Sequence, residues 1–212
     1  MVNHQSAWTV SSPVEHMPRR RFLRATSLLF TSTAIGLILD ARLSRVLAAQ
    51  QVQDDWAHCG DCNMLFFNGF HTDKGRCPAF GVPAKSGHIA EKLASLPKKY
   101  QVVFDDSVGT AHNQWRFCHK CGVLFLAEAA SMGVCSADHG GHEAAGHIFL
   151  LSHDRPPGTD EEGNWRLCEK CHALFFAGAA NSSRSGCPVD GKGHQANAHP
   201  VVVRQAREHF KL

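Results

Sequence analysis

The chain has 212 residues, 43% hydrophobic and 19% charged, with 18 Gly and 9 Pro, which excludes a disordered tail protein and a collagen-like fibre. Its formal charge of +3 is concentrated at one end: residues 1–48 hold six arginines against Glu15 and Asp40, and the other 164 residues hold 16 basic and 17 acidic side chains. That main body has no excess of Lys and Arg with which to displace counterions from a phosphate backbone, so nucleic acid is excluded as its partner.

The first element in chain order is a leader. Arg19-Arg20-Arg21-Phe22-Leu23-Arg24 precedes an apolar stretch from Ala25 to Leu39, and Val46-Leu47-Ala48-Ala49-Gln50 offers a small-residue cleavage context. The stretch falls short of the roughly 20 apolar residues that a membrane span needs. These residues resemble a twin-arginine export signal: two arginines, any residue, then Phe-Leu and a basic residue. The resemblance implies a signal peptide over 1–48, cut after Ala48 or Ala49 and read by the twin-arginine translocation machinery. It also implies a mature protein without a membrane span, exported to the periplasm or beyond. That class of signal carries cargo already folded, often around a cofactor. An uncleaved anchor or a basic amphipathic helix is the competing reading.

Three segments of the main body align with one another. Trp56, Trp115 and Trp165 open them, at periods of 59 and 50 residues. Each continues with a C-x2-C knuckle (Cys59/Cys62, Cys118/Cys121, Cys168/Cys171), a Leu-Phe pair, a third cysteine (Cys77, Cys135, Cys187) and a Gly-His pair (His88, His142, His194). An apolar run of β type closes each: 100–104, 148–151 and 201–203. The repeats span 54–104, 112–151 and 162–203, with a polar tail over 204–212. A short helical turn is expected at Glu91 to Leu96, in repeat 1 alone.

All nine cysteines are absorbed by the repeats, three to each. Two cysteines two apart turn both sulfurs toward one point, and a later loop supplies the rest of a tetrahedral donor set. Cys3His suits structural zinc, about three ions per chain, held by Cys59, Cys62, Cys77 and His88; Cys118, Cys121, Cys135 and His142; and Cys168, Cys171, Cys187 and His194. Disulfides, redox thiols and iron–sulfur clusters are the competing readings of these cysteines. Competing closing histidines are His147 and His199, five residues later, and His139. Lys120 and Lys170 stand where they can offset the charge of a Cys3His zinc site, whereas repeat 1 has Asp61 there. Trp115 and Trp165 read as covers over the metal modules, and His58, His71, His119, His153 and His172 as solvated surface.

The pattern W-R-x-C-x-K-C-x-x-L-F-F, then C-P, then G-H, resembles a repeat of exported bacterial proteins without assigned activity, over roughly residues 54–203. Single repeats are also similar to zinc ribbons, a generic likeness that carries no function. The expected fold is all-β: three tandem zinc-ribbon-like hairpin repeats, packed either linearly or about a pseudo-threefold axis. The expected function is a non-catalytic binding or scaffold module of the cell envelope, facing a glycan or protein ligand. The alternative is a zinc enzyme with an open site in repeat 2.

Overall fold

The computed structural model describes residues 51–206 except 82, 85, 94–95, 109–113, 129 and 179–185. The leader expected over 1–48 lies outside the described residues. Segments rich in β-branched and aromatic side chains form the strands. Repeat 1 contributes β1 (Gln51–His58), β2 (Leu65–Phe67), β3 (Lys92–Leu93), β4 (Leu96–Pro97) and β5 (Lys99–Phe104). Repeat 2 contributes β6 (Gln114–Cys118), β7 (Leu124–Ala127), β8 (Ala144–Leu150) and β9 (Ser152–His153). Repeat 3 contributes β10 (Glu161–Cys168), β11 (Leu174–Phe176) and β12 (Ala196–Gln205). No α-helix occurs among the described residues.

One plan serves all three repeats. The opening strand pairs antiparallel with a short second strand and a long third: β1 with β2 and β5, β6 with β7 and β8, β10 with β11 and β12. The knuckle between the first two strands is a tight turn closed by the same backbone bond each time. Asn63 N–H donates to Cys59 O, Gly122 N–H to Cys118 O and His172 N–H to Cys168 O, at 2.9, 2.8 and 2.8 Å. The donors sit at φ of 60°, 81° and 64°, the left-handed conformation this turn demands.

The repeats close on one another in a cycle, which decides between linear and threefold packing. Phe67 N–H donates to Gly122 O, Leu126 N–H to His172 O and Phe176 N–H to Asn63 O, at 2.9, 2.9 and 2.8 Å. Each short second strand is thereby tied to the knuckle of the next repeat. The long third strands pair cyclically too. Val103 faces Leu150 across β5 and β8, Ser152 faces Val202 across β9 and β12, and Arg204 faces Gln101 across β12 and β5. β9 is thus the continuation of β8 that completes the ring. The three-repeat body has pseudo-threefold symmetry and leaves few free sheet edges, which limits edge-to-edge aggregation.

Alternation along the second strands separates two layers of core. Leu65, Leu124 and Leu174 turn to one side, among Trp56, Tyr100, Phe149, Trp165 and Val203. Edge-to-face contacts organise that layer, with Trp56 on Phe149 at 5.2 Å and Tyr100 on Trp165 at 5.3 Å between centroids. Phe66, Phe125 and Phe175 turn to the other side, among all nine cysteines. Burying each of those rings is worth about 1.5–3 kcal/mol.

Three local readings are corrected. The stretch expected as a helical turn instead carries β3 and β4, a small antiparallel pair. Its cause is the pull of Glu91, whose N–H is held by His58 O and whose carbonyl accepts Lys98 N–H, giving extended rather than helical backbone. Arg204 and Gln205, assigned to the tail, are the end of β12 and pair with β5. Trp165 is fully buried, but Trp115 is only half-buried, so one of the two expected covers is partly open.

Candidate metal centres

The structure brings twelve side chains together in three clusters: Cys59, Cys62, Cys77 and His88; Cys118, Cys121, Cys135 and His142; Cys168, Cys171, Cys187 and His194. Within each, one donor atom from every residue lies within 4.8 Å of the other three. The first knuckle sulfur is 3.8, 3.9 and 3.9 Å from the third cysteine's sulfur in repeats 1 to 3. The second knuckle sulfur is 3.4, 3.4 and 3.6 Å from the histidine Nδ1. A tetrahedral shell with bonds of about 2.3 Å to sulfur and 2.05 Å to nitrogen has S···S edges of about 3.8 Å and S···N edges of about 3.55 Å. The donor sets fit. All nine cysteines are buried and free, and the sulfurs stand far beyond a disulfide bond of about 2.05 Å.

Charge gives the same answer. Hydrogen bonds from its two neighbouring thiols hold Cys59, Cys118 and Cys168 well below the ordinary thiol range. Burial pushes Cys62, Cys121 and Cys171 well above it. The third cysteines are pushed up to about 12 in Cys77 and about 11 in Cys135 and Cys187, chiefly by hydrogen bonding to the first knuckle sulfur. A divalent cation held among the four donors would favour ionisation of all three sulfurs.

Each histidine stacks on a phenylalanine, and two of the three are also held at Nε2. His88, His142 and His194 stack on Phe66, Phe125 and Phe175, at 4.9, 4.6 and 4.7 Å. His88 Nε2–H donates to Cys121 O at 3.1 Å and His142 Nε2–H to Cys171 O at 3.0 Å, both in the next repeat. These bonds set the tautomer, leaving the Nδ1 lone pair aimed at the sulfurs. The cycle breaks at repeat 3: His194 Nε2 is buried with no partner among the described residues, and His194 itself is half-buried.

The loops that deliver the third cysteine reach across in the same direction. Arg76 N–H donates to Cys121 O at 3.0 Å and Val134 N–H to Cys171 O at 3.3 Å. Gly75 and Gly133 take φ of 70° and 64°, and a Cβ on them would lie 2.0 and 2.2 Å from those carbonyls. Glycine two before the third cysteine is thus dictated by the neighbouring repeat as well as by its own turn.

The competing histidines are elsewhere. His147 Nδ1 pairs with Asp106 at 2.7 Å and stacks on Phe104, His199 pairs with Asp154 at 3.0 Å, and His139 is an exposed turn residue. Lys120 bonds Asp138 at 2.7 Å and Lys170 bonds Asp190 at 2.9 Å, so each lysine is occupied by a carboxylate beside the knuckle. Asp61 has one carboxylate oxygen buried without a partner among the described residues, and burial, with the Cys59 charge, raises its pKa. His58, expected at the surface, is 2% exposed, bonded to Glu91 at 2.6 Å and Asn63 at 3.1 Å. The signal was present in the alignment: its counterparts are Phe117 and Leu167, an apolar position. No family model matches the chain, and neither curated proteins nor solved structures give a match.

Proposed function

We propose that the chain is an exported protein in which three structural zinc ions hold a non-catalytic binding or scaffold module of the cell envelope. The observation that carries the metal reading is the donor geometry: three buried cysteines and one histidine per cluster at the edge lengths of a tetrahedral shell. Zinc supplies there the charge that stabilises three thiolates and the cross-link that a module of about 50 residues needs, worth about 10–16 kcal/mol per site. The chain's own part is to orient the shell. His88 and His142 are held at Nε2 by a neighbouring carbonyl, and the Phe rings fix each imidazole plane. Four protein donors fill such a shell and leave no position for water or substrate, which favours a scaffold over an enzyme with an open site in repeat 2. Export rests on the likeness of Arg19 to Arg24 to a twin-arginine signal, and an envelope glycan or protein is the class of ligand proposed for the module.

The test is native mass spectrometry with elemental analysis of protein recovered after export. Three zinc ions per chain, no disulfides and unfolding on chelation are expected. One ion or none with intramolecular disulfides, or iron in place of zinc, would overturn the metal assignment.

A further inference from the structure

The cyclic pairing of the third strands places six residues around the pseudo-threefold axis, on the side away from the core. They are Val103 with Leu150, Ser152 with Val202, and Arg204 with Gln101. All six line one recess of about 300 Å³. The sequence is not threefold there. Where two of the pairs offer Val103, Leu150 and Val202, the third offers Arg204 and Gln101, so the recess has an apolar wall and one cationic wall.

The charges in the recess are already sorted. Glu161 is engaged by Arg155 through two bonds of 2.7 Å and by Gly158 N–H at 2.7 Å. Those bonds hold its carboxyl down to about 2, so it stays ionised and paired. The side chain of Arg204, the ladder partner of Glu161, forms no hydrogen bond and no close ion pair with any described residue, although it is half-buried and its charge reaches Glu161. Arg204 also lines a second recess of about 470 Å³, next to the first and sharing Gln101 and Glu161 with it. A half-buried guanidinium with its donor fork unused, beside an apolar wall, matches a carboxylate bidentately. A single guanidinium fork matches the two oxygens and one charge of a carboxylate rather than the two charges of a phosphate monoester.

We infer that this axial recess binds a small monocarboxylate with an apolar tail, its carboxylate on Arg204 and its tail against Val103, Leu150 and Val202. A recess of this volume lies at the small end of ligand sites, roughly 300–1,000 Å³. None of the Cys3His ligands lines the recess.

The experiment titrates the full chain with hexanoate, and in parallel with hexan-1-ol and inorganic phosphate, following backbone and methyl NMR shifts. Hexanoate should saturate, with shifts at Val103, Leu150 and Val202. The alcohol and phosphate should not saturate over the same range. Arg204→Gln should weaken hexanoate at least about tenfold, and Arg204→Lys, which keeps the charge but loses the fork, should fall between. Since the Arg204 side chain makes no hydrogen bond and no close ion pair with any described residue, Arg204→Gln should melt where the parent does; if it does not fold, the Arg204→Lys titration and the shift map decide. Hexanoate that fails to saturate, equal binding by Arg204→Gln, shifts located elsewhere, or phosphate binding as tightly as hexanoate would each overturn the site.

Discussion

At the scale of single residues the decisive positions are the three histidines, which look equivalent in sequence and are not equivalent in structure. His142 stands within 3.4 Å of the Cys121 sulfur, whereas His147 makes an exposed pair with Asp106. His142→Ala should reduce the metal count from three to two per chain and lower stability by several kcal/mol, while His147→Ala should keep three ions and cost under about 1 kcal/mol, as exposed pairs do. Metal counting by native mass spectrometry and denaturant titration read both. The histidine that departs is His194, whose Nε2 has no acceptor among the described residues and whose ring is less covered. Ligands without that outer bond commonly lose about 10–100-fold in metal affinity. Repeat 3 should therefore release its ion first under a chelator such as EDTA. Cysteine-region NMR signals vanishing simultaneously in all three repeats would contradict that order.

At the scale of the element, the knuckle and the loop that faces it act as one part. The C-x2-C spacing, the third cysteine and the Gly-His pair were legible because three copies repeat them, and a repeated chemical pattern is hard to produce by chance. What joins the copies was not legible. Many of the joining bonds run from backbone to backbone, such as Phe67 N–H to Gly122 O, and nearly any residue can make them. His58 was misread because polar identity outweighed the apolar character of its aligned positions. Glycine offers a clean test of the joining. Gly75 and Gly191 have nearly equal φ, 70° and 68°, but a Cβ would meet Cys121 O at 2.0 Å in the first and nothing within 4 Å in the second. Gly191→Ala should cost about 1 kcal/mol, the ordinary left-handed penalty. Gly75→Ala should cost about 3 kcal/mol or more, since the neighbouring knuckle must move. Equal losses in urea titrations would mean that the loop and the facing knuckle are not mechanically coupled.

At the scale of the whole molecule, closure into a ring makes the repeats interdependent. Each knuckle carbonyl in repeats 2 and 3 is gripped by the loop and histidine of the repeat before it, and each second strand finishes its bonding on the next knuckle. An isolated repeat has those partners missing, so each cluster gains its full outer support only when the next repeat has folded beside it. Nine thiols would stay less protected until all three repeats had met, and in an oxidising compartment disulfide formation would compete throughout. Nine is odd, so a stranded thiol is unavoidable on that route, and near-identical knuckles favour mispairing between repeats. Completing the ring in a reducing compartment removes the competition, because a filled tetrahedral site shields each sulfur. The twin-arginine leader proposed on the residues Arg19 to Arg24 would be an export route consistent with this constraint. Replacing Arg19 and Arg20 by Lys should retain the precursor in the cytoplasm, and exchanging residues 1–48 for a signal of the unfolded route should give metal-poor, disulfide-scrambled protein. Thiol titration and metal analysis of the exported product measure the outcome. Protein recovered from the exchanged leader with nine free thiols and full metal would show that the ring assembles fast enough to outrun oxidation, and that leader and cysteine pattern are unrelated.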